Sequence, residues 1–368
     1  MKKICFLMNM APKYVEPAYT LFDNEFDISW CFGTNDTDIV EMDHTMLKEV
    51  TIIQKIKLFG SAYFLCGALS LAYKRHIGAY ILIGEPALLT TWILPWLIRL
   101  FHPTRKIIFW THGWYGKEGK VKSLIKKLYF APADTILTYG DRARNLMIDV
   151  GFEASKVYAI HNSLNHSEQV AIRKQIHPTS IYQDFFGNND PVLLFIGRLT
   201  PVKQLDLIIE AVHLLREKAL TFNIVFVGDG PEREKLESKV NELDLRNNVW
   251  FYGSCYDEKQ NAELIYNADL CVAPGNIGLT AMHSLVFGTP ALTHNDFKWQ
   301  MPEFEAIKEG VTGCFFERNN VESLAESISK WFEENKDKRS DVRLACYKEI
   351  DENWTPEYEL NVLKKVLK

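Results

Sequence analysis

Residues 191–203, PVLLFIGRLTPVK, constrain the fold more than any other stretch. Five apolar residues, Val192 to Ile196, stand between Pro191 and Gly197 with no polar alternation. That is the form of a strand covered on both faces, and such strands belong to parallel sheets flanked by helices. The glycine then permits a tight turn. Arg198 follows on the turn, and Lys203 follows at the start of the next helical stretch. Two cations beside a helix start suit a bound phosphate. Two later segments share this build. Residues 222–227 run into Gly228-Asp229-Gly230-Pro231, and 270–272 run into Ala273-Pro274-Gly275-Asn276-Ile277-Gly278-Leu279-Thr280.

The same alternation of short apolar runs and helical stretches covers the whole chain. Expected strands in the first half are 4–8, 28–32, 80–83, 107–110, 135–138 and 157–160. Those in the second half are 192–196, 222–227, 249–252, 270–272, 291–293 and 314–316. Helices are expected between them, among them 203–218 and 321–334. With 368 residues, two cores are expected rather than one. Residues 173–190 lose the periodicity and carry Pro178 and Gly187. The domains are therefore placed at 1–175 and 191–340, with a linker at 176–190 and a returning C-terminal helix over 341–368. The expected fold class is α/β: two doubly wound, Rossmann-like domains facing a central cleft.

Charge and cysteine usage exclude several classes. The net charge of −5 gives no general case for nucleic acid. Seven cysteines are scattered without a CxxC pair, which suits a reducing, cytoplasmic setting rather than a disulfide or zinc framework. The start, KKICFLM, imitates a signal peptide, but its apolar run is too short, so a first buried strand is expected. On that reading the Asn165-His166-Ser167 triplet stays unglycosylated. Two longer apolar stretches, 58–73 and 87–100, fall short of the roughly 20 residues of a spanning helix. Both are expected to be buried or partly buried helices. Asp36-Thr37-Asp38 has the form of a metal-binding pair, but it stands alone in a polar loop, and no metal is expected.

GRLTPVKQLDLIIEA, VGDGPEREKL and APGNIGLTAMHSLVFGTP, in this order and spacing, resemble the carboxy-terminal domain of family 4 glycosyltransferases of the GT-B fold. The resemblance implies a nucleotide-diphosphate sugar as co-substrate, no cofactor, metal-independent transfer and retention at the anomeric carbon. It implies that Arg198 and Lys203 hold the donor diphosphate, with Gly197 shaping their turn. It places donor contacts at Gly275, Asn276, Gly278, Leu279, Thr280 and His283. The family carries glutamates at two of these positions, where this chain has Gly275 and His283. The segment from Met301 resembles the family's GGxxExIxxGxxG, with Met301-Pro302 in place of the glycine pair, so Glu303 and Glu305 are donor-sugar candidates. Tyr256 is a candidate for the base.

In the first domain, His112 follows an apolar strand and precedes a glycine, the position of a sugar-contacting histidine in related enzymes. Trp114 and Tyr115 offer faces to an acceptor. Asn9 and Tyr14 lie in the loop after the first strand, on the acceptor side. Residues 99–127 hold eight lysines and arginines against one acid, Glu118, interleaved with apolar residues. This pattern suits peripheral contact with an anionic membrane at its cytoplasmic face. The resulting expectation is sugar transfer to a glycan or lipid-linked acceptor in bacterial surface polysaccharide synthesis. The rivals are another GT-B enzyme, such as a sugar-nucleotide epimerase or a phosphorylase, and an inactive scaffold that kept the fold.

Overall fold

The computed structural model describes residues 3–37 and 39–368. Asp38 of the Asp36-Thr37-Asp38 triplet lies outside the described residues, as do Met1 and Lys2. The chain divides into two compact units, Met1–Asn165 with Trp354–Lys368, and His166–Asn353.

The strands of the first unit are β1 (Lys3–Met8), β2 (Ile28–Gly33), β3 (Val50–Ile53), β4 (Lys55–Lys57), β5 (Tyr63–Leu65), β6 (Ile77–Ile83), β7 (Lys106–Thr111), β8 (Thr135–Thr138) and β9 (Val157–Ala159). All but β4 and β5 form one sheet in the order β3-β2-β1-β6-β7-β8-β9. Every pairing in it is parallel. Helices α1 (Glu16–Glu25), α2 (Thr90–Phe101), α3 (Lys120–Phe130) and α4 (Asp141–Asp149) connect the strands. The sheet is covered by two apolar layers. One includes Leu82, Phe109 and Phe130, and the other includes Phe6, Phe22 and Trp30.

The second unit holds helices α5 (His166–Arg173), α6 (Ile181–Phe186), α7 (Asp206–Glu217), α8 (Arg233–Glu242), α9 (Glu258–Asn267), α10 (Thr280–Val286), α11 (Val321–Asn335) and α12 (Arg339–Asn353). Its strands are β10 (Val192–Ile196), β11 (Asn223–Val227), β12 (Val249–Gly253), β13 (Leu270–Ala273), β14 (Ala291–His294) and β15 (Gly313–Phe316). They form a sheet in the order β12-β11-β10-β13-β14-β15, parallel throughout. Val192–Phe195 of β10 are buried, as the uninterrupted apolar run requires.

Three expectations about chain organisation are corrected. The units divide at Asn165/His166, ahead of 176–190, and the proposed linker contains α6. Its Tyr182 is buried and donates its hydroxyl to the carbonyl of Leu264, which ties the stretch to α9. The return begins at Trp354 rather than 341, because α12 stays with the second unit. Only the last helix, α13 (Pro356–Leu367), rejoins the first. Thr355 caps it by accepting from the Tyr358 amide at 3.1 Å, and Leu363 is fully buried. Residues 58–73 do not form a helix. They supply a turn, β5 and a 3-10 segment, Ala68–Tyr73, whereas 87–100 does become α2. Gly60 and Gly67 at positive φ break the first stretch where a helix would need uninterrupted right-handed backbone. Among the described residues, no helix is long and apolar enough to cross a membrane.

Candidate functional site

In open parallel sheets, ligands bind beyond the carboxyl ends of the strands where the strand order reverses. In the second unit that point lies between β10 and β13, which are neighbours. β10 ends into Gly197-Arg198, and β13 ends into Pro274-Gly275-Asn276. The sequence's two strongest donor segments thus emerge side by side.

They are also stitched together. The Gly275 amide donates to the Lys203 carbonyl at 2.9 Å, and the Asn276 amide to the Val202 carbonyl at 3.3 Å. The Lys203 ammonium donates to the Asn276 carbonyl at 2.6 Å. Burial lowers the pKa of Lys203, and the charge of Glu303 opposes that shift. Arg198 is exposed on its turn, and no interaction with another described residue engages its guanidinium. One cation therefore locks the loop while the other is available to an anion.

Glycine is required here by backbone contact. A Cβ at Gly275 would lie 2.0 Å from the Val202 carbonyl oxygen. The family's glutamate has no room at this position. Both Gly275 backbone groups are already engaged, since its carbonyl accepts from Thr293 Oγ1 at 3.1 Å and Gln300 Nε2 at 3.3 Å. Gly275 therefore shapes the loop and offers no free polar group of its own. The Gly228 turn follows the same logic, since a Cβ there would fall 1.9 Å from the Gly197 carbonyl oxygen.

Gln300 went unassigned in the sequence. Buried, it accepts from the Ile277 amide at 3.0 Å and donates to Thr293 at 2.8 Å, bracing the loop from beneath. Nothing local in the sequence marks it. Thr280 opens α10, but its hydroxyl is committed to the Ile196 carbonyl at 2.8 Å. Gly278 takes positive φ, and Leu279 caps α10. Glu303 is buried and acts electrostatically on Lys203, while Glu305 is half-buried. His283 points to Glu258, with Nδ1 at 4.0 Å from its carboxylate, and burial lowers its pKa. Tyr256 is almost wholly exposed after β12, an edge strand two strands from the reversal point.

In the first unit the reversal lies between β1 and β6. Asn9 follows β1 and donates to Glu85 at 3.1 Å, and the Tyr63 hydroxyl donates to the same carboxylate oxygen at 2.7 Å. Glu85, missed in the sequence, follows β6 through Gly84, the same strand–glycine–charge pattern as Gly197-Arg198. Tyr14 lies in the short 3-10 turn Lys13–Val15, partly exposed. His112 follows the adjacent β7. Its Nδ1 is buried and makes no hydrogen bond among the described residues. Burial, helped by the charge of Lys126, pushes its pKa down to about 4, so it is neutral near pH 7. Asp36 is occupied by Lys55 and Lys57 at 2.8 and 2.9 Å, which hold its pKa at about 2.

The acceptor-side reading of Trp114 is corrected. Trp114 is buried against Phe130 and Phe152, with the Lys126 ammonium 4.5 Å from its ring centre. It belongs to the core and offers no face to an acceptor. Tyr115 remains half-buried, its ring 6.2 Å from that of His112. Lys126 was grouped with surface cations, but it reaches inward to the Gly113 carbonyl and to Glu118 at 2.8 Å. Burial raises the pKa of Glu118, but the Lys126 hydrogen bond and the Tyr115 amide outweigh it and hold the value at about 2.

Two expected results follow from this loop. Unfolded histidine takes its proton near pH 6.5, but folded His112 only near 4. Between those values the unfolded chain binds more protons. His112 therefore contributes stability above pH 6.5 that is lost as pH falls toward 4, about 3 kcal/mol at most. Denaturant titrations of His112→Gln should show a correspondingly flatter pH profile. Lys126→Met strands the Glu118 carboxylate, whose side chain is only 2% exposed, and should cost roughly 3–5 kcal/mol. The exposed neighbour Lys127→Met should change stability by less than about 0.5 kcal/mol in the same assay.

Comparison with known proteins bears on the family and the fold. Residues 180–348 match the family model described as Glycosyl transferases group 1. A GDP-mannose-dependent alpha-(1-6)-phosphatidylinositol dimannoside mannosyltransferase of Mycobacterium tuberculosis is 36% identical over 126 residues, 32% of each chain. The match thus spans about a third of that relative's length. Human alpha-1,3/1,6-mannosyltransferase ALG2 is 25% identical over 71% of this chain and 67% of its own. Two solved structures superpose on 99% of both chains at a TM-score of 0.73 and 15% identity. They are Anabaena Alr3699/HepE in complex with UDP and the lipopolysaccharide outer core galactosyltransferase WaaB in its apo form. The chain has the GT-B class of α/β fold along its whole length, and residues 180–348 carry the glycosyl transferases group 1 match.

Proposed function

We propose that this protein is a glycosyltransferase that moves a hexosyl unit from a nucleoside-diphosphate sugar to a hydroxyl of a glycan or lipid-linked acceptor. The transfer is metal-independent and retains anomeric configuration. Its setting is the cytoplasmic side of bacterial surface polysaccharide assembly. The observation that carries the reading is the exposed, uncommitted Arg198 guanidinium at the reversal point, on a turn locked to the Gly275 loop by Lys203.

In this reaction the bond between the anomeric carbon and the β-phosphate oxygen breaks, and its electron pair goes to the diphosphate. The acceptor oxygen bonds to the same face of the anomeric carbon and passes its proton to the departing phosphate. Negative charge on the diphosphate grows toward the transition state, so fixed cations there lower the barrier selectively. Arg198 serves as that cation, and Lys203 fixes the turn while adding charge. In the first unit, the half-buried ring of His112, on the turn after β7, is the candidate for a sugar contact. The relatives include proteins whose names carry GDP-mannose and UDP, so both donor classes belong in the test.

The test is incubation with UDP-, GDP- and ADP-sugars without acceptor. A transferase is expected to leak the activated sugar slowly to water and release one nucleoside diphosphate preferentially. Neither release nor thermal stabilisation by any of them would instead identify an inactive scaffold, the alternative that the missing glutamates at Gly275 and His283 favour.

A further inference from the structure

The outer faces of α2 and α3 depart from the pattern of ordinary surface helices. A helix packed on a sheet normally turns its apolar stripe inward and its polar residues outward. α2 buries Thr91, Leu94, Pro95 and Ile98. It also turns Ile93, Trp96 and Leu100 to solvent, with Leu97 half-buried among them. That is a second apolar stripe at helical spacing. α3 repeats the arrangement. Lys126, Tyr129 and Phe130 face inward, and Val121, Leu124, Ile125 and Leu128 face outward. Trp96 is 54% exposed, Leu100 72% and Val121 74%.

The two helices are neighbours in the first unit. The rings of Trp92 and Tyr129 lie 4.8 Å apart, and the hydroxyls of Thr91 and Tyr129 are 2.7 Å apart. Scattered exposed apolar residues need no explanation, but two adjacent stripes in helical register do.

Charge identifies what covers them. Neither helix carries a carboxylate, and Glu118 beside them is turned inward to Lys126. Arg99 is likewise spent on Asp134 at 2.6 Å, and Arg105 donates to the Arg75 carbonyl. Lys117, Lys120, Lys122 and Lys127 remain exposed around the α3 stripe, on a chain whose net charge is −5. Lys74 and Arg75 are exposed beside Tyr73, whose ring meets Phe101 at the end of α2. A second copy of this face would bring like charges together, which opposes self-association.

We propose that the outer faces of α2 and α3 form a docking surface for an anionic phospholipid bilayer. The apolar stripes enter the boundary between headgroups and acyl chains, and the lysines meet lipid phosphates. The surface is independent of the proposed reaction and stands even for an inactive protein.

Co-sedimentation with vesicles tests it. The protein is expected to bind equimolar phosphatidylcholine–phosphatidylglycerol vesicles, to bind pure phosphatidylcholine much less, and to be released by salt. Trp96→Ser with Leu124→Ser should weaken binding by about tenfold or more. Lys120→Gln, Lys122→Gln and Lys127→Gln together should weaken it by about fivefold per lysine. Unchanged circular dichroism and melting temperature would show that both variants fold. Failure of the unmodified protein to sediment with anionic vesicles, or undiminished binding by the folded variants, overturns the proposal. So does a lipid-free dimer that Trp96→Ser with Leu124→Ser converts to monomer.

Discussion

Arg198→Ala is expected to lower kcat by roughly a hundredfold to a thousandfold, the range for losing one preorganised group that faces developing charge. Its melting temperature should stay near that of the unmodified protein, because Arg198 is exposed and no protein contact depends on it. Lys203→Ala should also reduce turnover, but with a different signature. Its ammonium holds the Asn276 carbonyl, so its loss also loosens the loop, at roughly 1–3 kcal/mol. Steady-state kinetics and thermal melts of both variants separate the roles. Arg198 should affect turnover alone, and Lys203 both turnover and stability. Turnover of Arg198→Ala close to the unmodified rate would remove the guanidinium from the chemistry.

Gly275→Glu, which restores the residue the family carries, should be among the most damaging substitutions rather than a gain of function. The added Cβ would fall 2.0 Å from the Val202 carbonyl oxygen and 2.8 Å from the Lys203 backbone. Backbone cannot yield as a flexible side chain can, so the two turns must part. The cost is roughly 3 kcal/mol or more, which lowers the melting temperature of a unit this size by roughly 6–12 °C. Nucleotide-sugar binding should fall with it. Gly119→Ala is the control, because it meets nothing within 4 Å and its φ is −70°. A melting temperature for Gly275→Glu equal to that of the control would show that the loop is not stitched as described.

The parallel strands were legible because burial on both faces leaves uninterrupted apolar runs. Val192–Ile196 and Thr135–Thr138 have the expected limits. β3 and the hairpin of β4 and β5 were not legible. β3 is an edge strand with two exposed residues, and Lys55–Lys57 alternates charge with one isoleucine, so neither has the apolar density of a core strand. Residues 58–73 lack charge, but charge alone does not distinguish a helix from a turn and a short strand. The unit boundary was misplaced because polar composition at 173–190 resembles a linker, although α6 is anchored through Tyr182.

The strand–glycine–cation pattern marked the Arg198 turn and the Gly275 loop, which the structure brings side by side, because both patterns are local in sequence. Gln300 could not be read in the same way. It joins the Gly275 loop across 25 residues, and only folding brings its amide beneath Ile277. Trp114 and Lys126 were misjudged for a related reason. An aromatic residue and a lysine near a strand end look alike in sequence whether they face solvent or each other. Here a buried carboxylate, Glu118, draws Lys126 inward over the indole.

The most direct measurement is a diffraction structure of the protein with a bound nucleoside diphosphate. The β-phosphate is expected beyond the ends of β10 and β13, within hydrogen-bond reach of the Arg198 guanidinium. A diphosphate bound elsewhere, with Arg198 turned to bulk water, would contradict the proposed function.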